Sequence, residues 1–152
     1  MFESILYERN GAAFATGAVH FRDSSSQGLE AADARIYLQV VPGELSYPVD
    51  VMVDTAAPWC IFDAEIGEEM LPCLEIVQDP VFLHTRLGRF RGALYQGSLR
   101  IIAEEGDSLN VDATMFLSRD WPGGNFIGYL GLLQKIRFAV DPHRNRFYFS
   151  SL

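Results

Sequence analysis

The chain is short of cations. Twelve Lys and Arg stand against twenty Asp and Glu, a formal net charge of −8 over 152 residues. Phosphate binding needs clustered positive charge, so this balance speaks against nucleic acid as a partner. It speaks against an anionic membrane surface for the same reason. Long apolar runs are also missing: no stretch approaches the roughly 18 residues that a membrane helix requires. Cysteine is scarce. Cys60 and Cys73 are the only two, too few for a secreted disulfide scaffold. The first ten residues carry Glu3, Glu8 and Arg9 and lack the basic start and apolar core of a secretory signal. The expectation is a cytoplasmic chain with two free thiols, a bridge or redox role for the pair being the alternative.

Other chemistries are thinly represented. His20, His84 and His143 are scattered, without the paired spacing of a zinc site, so no metal and no cofactor are expected. There is no Gly-x-Ser-x-Gly nucleophile elbow. Gly123, Gly124, Gly128 and Gly131 fit neither the dinucleotide nor the phosphate-loop pattern. A Cys–His nucleophile built on Cys60 would need a depressed thiol pKa, and nothing nearby in sequence supplies one. Trp59, Trp121 and Pro122 read as core or turn residues.

What is present is apolar and strand-like. Hydrophobic residues make up 49% of the chain, enough to fill a core, and the length suits one domain over 1–152. Within it, residues 1–30 read as an N-terminal strand and loop extension and 31–152 as the motif-bearing core. Arg35–Val41 is rich in β-branched and aromatic residues. A Pro- and Gly-bearing turn at 42–48 leads into Val49–Val53, which alternates apolar and polar. Together they predict a hairpin. Leu99–Ile102 and Val111–Leu117 predict a second, turning through the acidic Glu104–Asp107, and Arg146–Phe149 predicts a last strand. Asp63 is placed to cap a helical turn through Ala64, Glu65 and Ile66. Leu132, Leu133 and Ile136 have the spacing of a short amphipathic helix. Ser24–Gly28 reads as a flexible loop. The pattern is all-β, a small barrel or sandwich.

Two segments carry the chemistry. In Val51-Met52-Val53-Asp54-Thr55-Ala56-Ala57-Pro58, an apolar strand ends in a carboxylate followed by small residues. A carboxylate there must be paired or hydrogen-bonded; a local Asx turn is the plain reading. In Phe126-Ile127-Gly128, two bulky apolar residues and a glycine precede the segment through Ile136. The two motifs, in this order and spacing, resemble the retropepsin-like aspartic proteases over roughly residues 35–149, and the ending Phe138-Ala139-Val140-Asp141-Pro142 with Arg146-Phe147-Tyr148-Phe149 resembles that of single-domain bacterial members.

The resemblance implies an all-β, single-lobe, closed pepsin-like barrel with one or two short helices. It implies that Asp54 is catalytic, that Thr55, Ala56 and Ala57 form the active-site loop, and that Phe126, Ile127 and Gly128 form the hydrophobic-hydrophobic-Gly motif. It also implies a flap within Thr85–Tyr95, with Leu87, Gly88, Arg89 and Phe90 against substrate and Gly88 and Gly92 at a mobile tip. Arg86, Arg89 and Arg91 form either a solvated strand face or an attraction for an acidic substrate segment.

Aspartic protease chemistry uses two carboxylates sharing one proton, and this chain has one such motif. The resemblance therefore implies a C2 homodimer supplying Asp54 twice and acting on a peptide or protein substrate. Ala56 stands where the family has glycine, and its methyl group supports a second reading, a catalytically weak or inactive pepsin-fold module that binds peptides or dimerises. An unrelated small β-barrel is the remaining reading.

Overall fold

The computed structural model describes residues 4–23 and 36–152; the Ser24–Gly28 loop and Arg35 lie outside the described residues. The first predicted hairpin is β5 (Ile36–Pro42) and β6 (Val49–Asp54), antiparallel with Val40 opposite Val49 and Tyr37 opposite Met52. Alternation along β6 buries Val49 and Val51 and exposes Asp50, as a half-buried strand should. The second is longer than its sequence signal. Strand β9 (Gly88–Ile101) pairs antiparallel with β11 (Leu109–Leu117) from Ile101 opposite Leu109 to Ala93 opposite Leu117.

Between these hairpins lie β7 (Cys60–Ile61), helix α1 (Ala64–Met70) and β8 (Glu75–Thr85). Asp63 caps α1, its Oδ1 accepting the Ile66 N–H at 3.0 Å. After β11 comes β12 (Phe126–Gly128). The large sheet runs β4 (Arg22–Asp23), β5, β6, β12, β7, β11, β9, β8. Strand β5 also pairs with β9, Val40 opposite Ile101, so the pairings that leave β5 through β6 return to it through β9. Strands β4 and β8 stand outside that cycle as edges.

A second sheet runs β10 (Glu105–Gly106), β3 (Gly17–His20), β14 (Arg146–Ser151), β13 (Ile136–Asp141). The acidic turn between β9 and β11 thus carries a strand of its own. Strand β3 places the N-terminal stretch against the C-terminal strand, Val19 opposite Phe147. A small hairpin joins β1 (Leu6–Tyr7) and β2 (Ala13–Ala15).

The main core gathers Leu38, Val51, Leu99, Ile101, Met115, Ile127 and Phe147, each at most 2% exposed. Burying a side chain of this size stabilises by about 1.5–3 kcal/mol before entropy is counted. The predicted helix at 132–136 is instead a single 3-10 turn, Leu133–Lys135. Leu132, Leu133 and Ile136 are all buried, but Ile136 is already the first residue of β13, opposite Ser151. The apolar spacing reported burial at a turn-to-strand junction rather than a helical face.

Cys60 is buried and Cys73 exposed, and both are free thiols. No helix among the described residues is long and apolar enough to cross a membrane.

Candidate active site

Strand β6 leaves the core at its C-terminal end, where Asp54 is half-buried and Thr55 and Ala56 are exposed. The Asp54 carboxylate accepts the Ala56 N–H through Oδ1 at 3.0 Å, and its backbone carbonyl accepts the Ala57 N–H at 3.2 Å. The local Asx turn is therefore present. It occupies one carboxylate oxygen; the other takes no hydrogen bond from the described residues. The Thr55 hydroxyl makes none to them either. Asn145 is the one non-glycine residue with positive φ among the described residues. Ala56 thus holds the loop in backbone space open to any L-residue, without the left-handed strain that would demand glycine.

The second sequence motif lies directly beside the first. Strand β12 pairs parallel with β6, Phe126 opposite Met52, Ile127 opposite Val53, Gly128 opposite Asp54. Phe126 also faces Ile61 of β7. Beyond β12 the backbone is tied to the loop after Asp54: Tyr129 N–H donates to the Ala57 carbonyl at 2.8 Å and Gly131 N–H to that of Pro58 at 2.9 Å. Asn125 adds side-chain ties, its Oδ1 accepting the Asp63 N–H at 2.9 Å and its Nδ2 donating to the Asp50 carbonyl at 3.3 Å. The carboxylate thus sits on a loop fixed from both sides, as a pre-organised site requires.

Asp54 lines a cleft of about 380 Å³. Its walls are Ala57 and Pro58 from the loop, Ile61, Trp121 and Phe126 from below, and Leu83 to Arg86 from the hairpin of β8 and β9. The segment expected to form a flap, Thr85–Tyr95, falls on this hairpin. Its tip is Arg86-Leu87, between Thr85 and Gly88 paired across the strands. The Thr85 hydroxyl accepts the Leu87 N–H at 3.0 Å and donates to the Gly88 carbonyl at 3.2 Å. Gly88 has φ +129°, a conformation that favours glycine. Leu87 is 67% exposed. Gly92 is not at the tip. It lies within β9, where a methyl group would fall 2.3 Å from the Leu117 carbonyl oxygen, so it is a close-packing position and not a hinge.

Hairpin register separates the predicted flap residues. Leu83 faces Phe90 across the strands; on the other side of the sheet His84 faces Arg89 and Phe82 faces Arg91. Phe90 packs edge-on against Trp121, ring centroids 5.2 Å apart, and Trp121 against Phe126 at 6.1 Å. Arg89 instead lies over the Phe82 ring, 4.0 Å from its centroid. Of the three arginines only Arg86 lines the cleft; Arg89 and Arg91 belong to the exposed outer face.

Trp121 is the residue the sequence did not single out for the site. It is 7% exposed, its indole N–H donates to the Gly124 carbonyl at 3.0 Å, and it joins flap to motif. Cys60 drops out as a nucleophile, because burial pushes its thiol up to about 12, far from a thiolate at neutral pH.

No family model matches the chain, and no curated protein matches it in sequence. Among solved structures the chain is similar to a retropepsin-like aspartic protease from Rickettsia conorii, with a TM-score of 0.55 over 88% of this chain and 98% of that one. The fold is retropepsin-like. Sequence identity is 15%, so the likeness is one of architecture.

Proposed function

We propose that this protein is an aspartic endopeptidase that acts as a C2 homodimer, each copy contributing Asp54. The observation that carries the reading is the parallel pairing that sets Gly128 against Asp54 at the mouth of a cleft roofed by the β8–β9 hairpin. A single chain offers one carboxylate there. The reaction needs two, one ionised to take a proton from water and one protonated to hydrogen-bond the scissile carbonyl. Two carboxyl groups about 3 Å apart cannot both ionise, so the pair holds one proton over an acidic window and the rate forms a bell across it. Thr55 and Ala56, with the 45% exposed Tyr129 and 41% exposed Leu130, supply a surface beside Asp54 for the second copy. In this reading Thr55, Ala56 and Ala57 position the carboxylate, and Leu87, Gly88 and Phe90 belong to the lid over an extended peptide. Arg89, over Phe82 on the outer face, is left out of the substrate contacts.

Asp54→Asn tests the reading, since the amide is nearly isosteric and cannot serve as base. The variant keeps its melting temperature and loses peptide cleavage. Cleavage retained at the native rate in a preparation free of other proteases overturns the assignment. A native chain that binds peptides without cutting them points to the non-catalytic module.

A further inference from the structure

From the placement of Arg86, and resting on the reading of the Asp54 cleft as a peptide site, we infer that Arg86 is a specificity-determining residue that selects an acidic side chain in the bound peptide. Among the residues that line the cleft, Asp54 is the one acidic side chain and Arg86 the one Lys or Arg. The floor of Ile61, Trp121 and Phe126 is apolar. An apolar floor holds a bulky side chain but does not distinguish charge; a guanidinium at the rim does.

Three features single out Arg86 from its neighbours. It occupies the two-residue tip of the hairpin, beyond the last paired residues, and is exposed. It lines the cleft, while Arg89 is held over Phe82 on the opposite face. None of the four ion pairs among the described residues includes it; in particular it does not pair with Asp54. Its five donors are thus available to a carboxylate, which they match bidentately. The charge also has a task. A dyad of two Asp54 carboxyls carrying one proton leaves a net negative charge in the cleft, which repels an acidic peptide. In a chain of net charge −8, a cation at the entrance offsets that field where the peptide enters.

The test uses matched fluorescein-labelled decapeptides, alanine throughout except a central Phe–Phe pair and one position carrying Asp, Asn or Lys, moved stepwise along the peptide. Binding is read by anisotropy on Asp54→Asn, and cleavage on the native chain. At one position Asp is favoured over Lys by about tenfold at low salt, the ratio shrinking as salt screens the pair. Added to Asp54→Asn, Arg86→Gln abolishes the preference and Arg86→Lys keeps part of it. Arg86→Glu reverses it toward Lys, which a merely structural role for Arg86 would not produce. A preference unchanged in Arg86→Gln overturns the inference, as does the absence of binding by every peptide. Cleavage without charge preference overturns it while leaving the protease reading standing. Binding with the preference but without cleavage by the native chain does the reverse.

Discussion

Gly128 stands directly opposite Asp54 in the parallel pairing of β12 with β6, and its missing side chain is what lets the loop after Asp54 close over it. A methyl group there would fall 2.4 Å from the Trp59 carbonyl oxygen and 2.7 Å from that of Ala57. Both are backbone atoms, so relief requires the loop itself to move. Gly128→Ala is expected to cost about 1–3 kcal/mol in urea unfolding, the range of overpacking in a tight site, and to reduce cleavage more than this loss of folded protein explains. A variant with native stability and native cleavage would show that the apposition is not needed.

Trp121 couples the β8–β9 hairpin to the floor of the cleft through Phe90 and Phe126. Trp121→Ala removes a nearly buried ring and is expected to destabilise by about 3–5 kcal/mol. Trp121→Phe keeps an aromatic ring at the site but shrinks its contact with Phe90 and Phe126 and loses the hydrogen bond to Gly124, the latter a loss of about 0.5–1.5 kcal/mol. If Trp121 positions the flap, the milder variant raises KM for peptides with little change in kcat. Equal, small effects of both substitutions on unfolding would deny it a packing role.

Gly128 is legible in the sequence and Trp121 is not. Both site motifs are local patterns, an apolar strand ending in Asp54 and two bulky residues before Gly128, and each is read directly. Their pairing is not local, and only the resemblance brought them together. The strand leading up to the flap was invisible because Glu75–Pro80 are all exposed and show no alternation. Gly92 reads as a tip residue because a glycine near a turn signals flexibility as readily as close packing; Leu117, which explains it, is 25 residues away in sequence. Trp121 sits in a Pro- and Gly-bearing loop, where no periodicity marks the buried face.

The second sheet is held at its acidic edge by Glu104. Its Oε2 lies 2.7 Å from His20 Nδ1 and accepts the His20 backbone N–H at 3.3 Å. The side-chain hydrogen bond with His20 holds the Glu104 carboxyl below its ordinary value, against a smaller opposing effect of burial. A depressed carboxylate pKa adds stability above the unfolded value, which is lost as pH falls through the folded one. Glu104→Gln is therefore expected to lower Tm slightly at neutral pH, by the small amount of an exposed pair. The difference closes as pH drops through the acidic range. A Tm difference constant from neutral to strongly acid pH would contradict it.

Ala56 departs from the glycine of the resembled family, yet its backbone is unstrained and its methyl group exposed. Ala56→Gly adds chain entropy to the unfolded state and is expected to cost about 0.5–1 kcal/mol. In the proposed dimer the two active-site loops would meet at this methyl group, so glycine is expected to tighten a statine-type inhibitor, a mimic of the tetrahedral intermediate. Paired Tm and inhibitor titrations check both. Unchanged or weaker inhibitor binding would mean that Ala56 is fully accommodated.

The central claim is that one active site takes Asp54 from two copies of the chain, and subunit mixing tests it most directly. Native and Asp54→Asn chains are refolded together at fixed total concentration, and cleavage is followed as the native fraction falls. A shared site makes the rate follow the square of that fraction, so an equal mixture retains about one quarter of the native rate. A linear decline, with about half the rate in that mixture, would place a complete site in each chain and contradict the account.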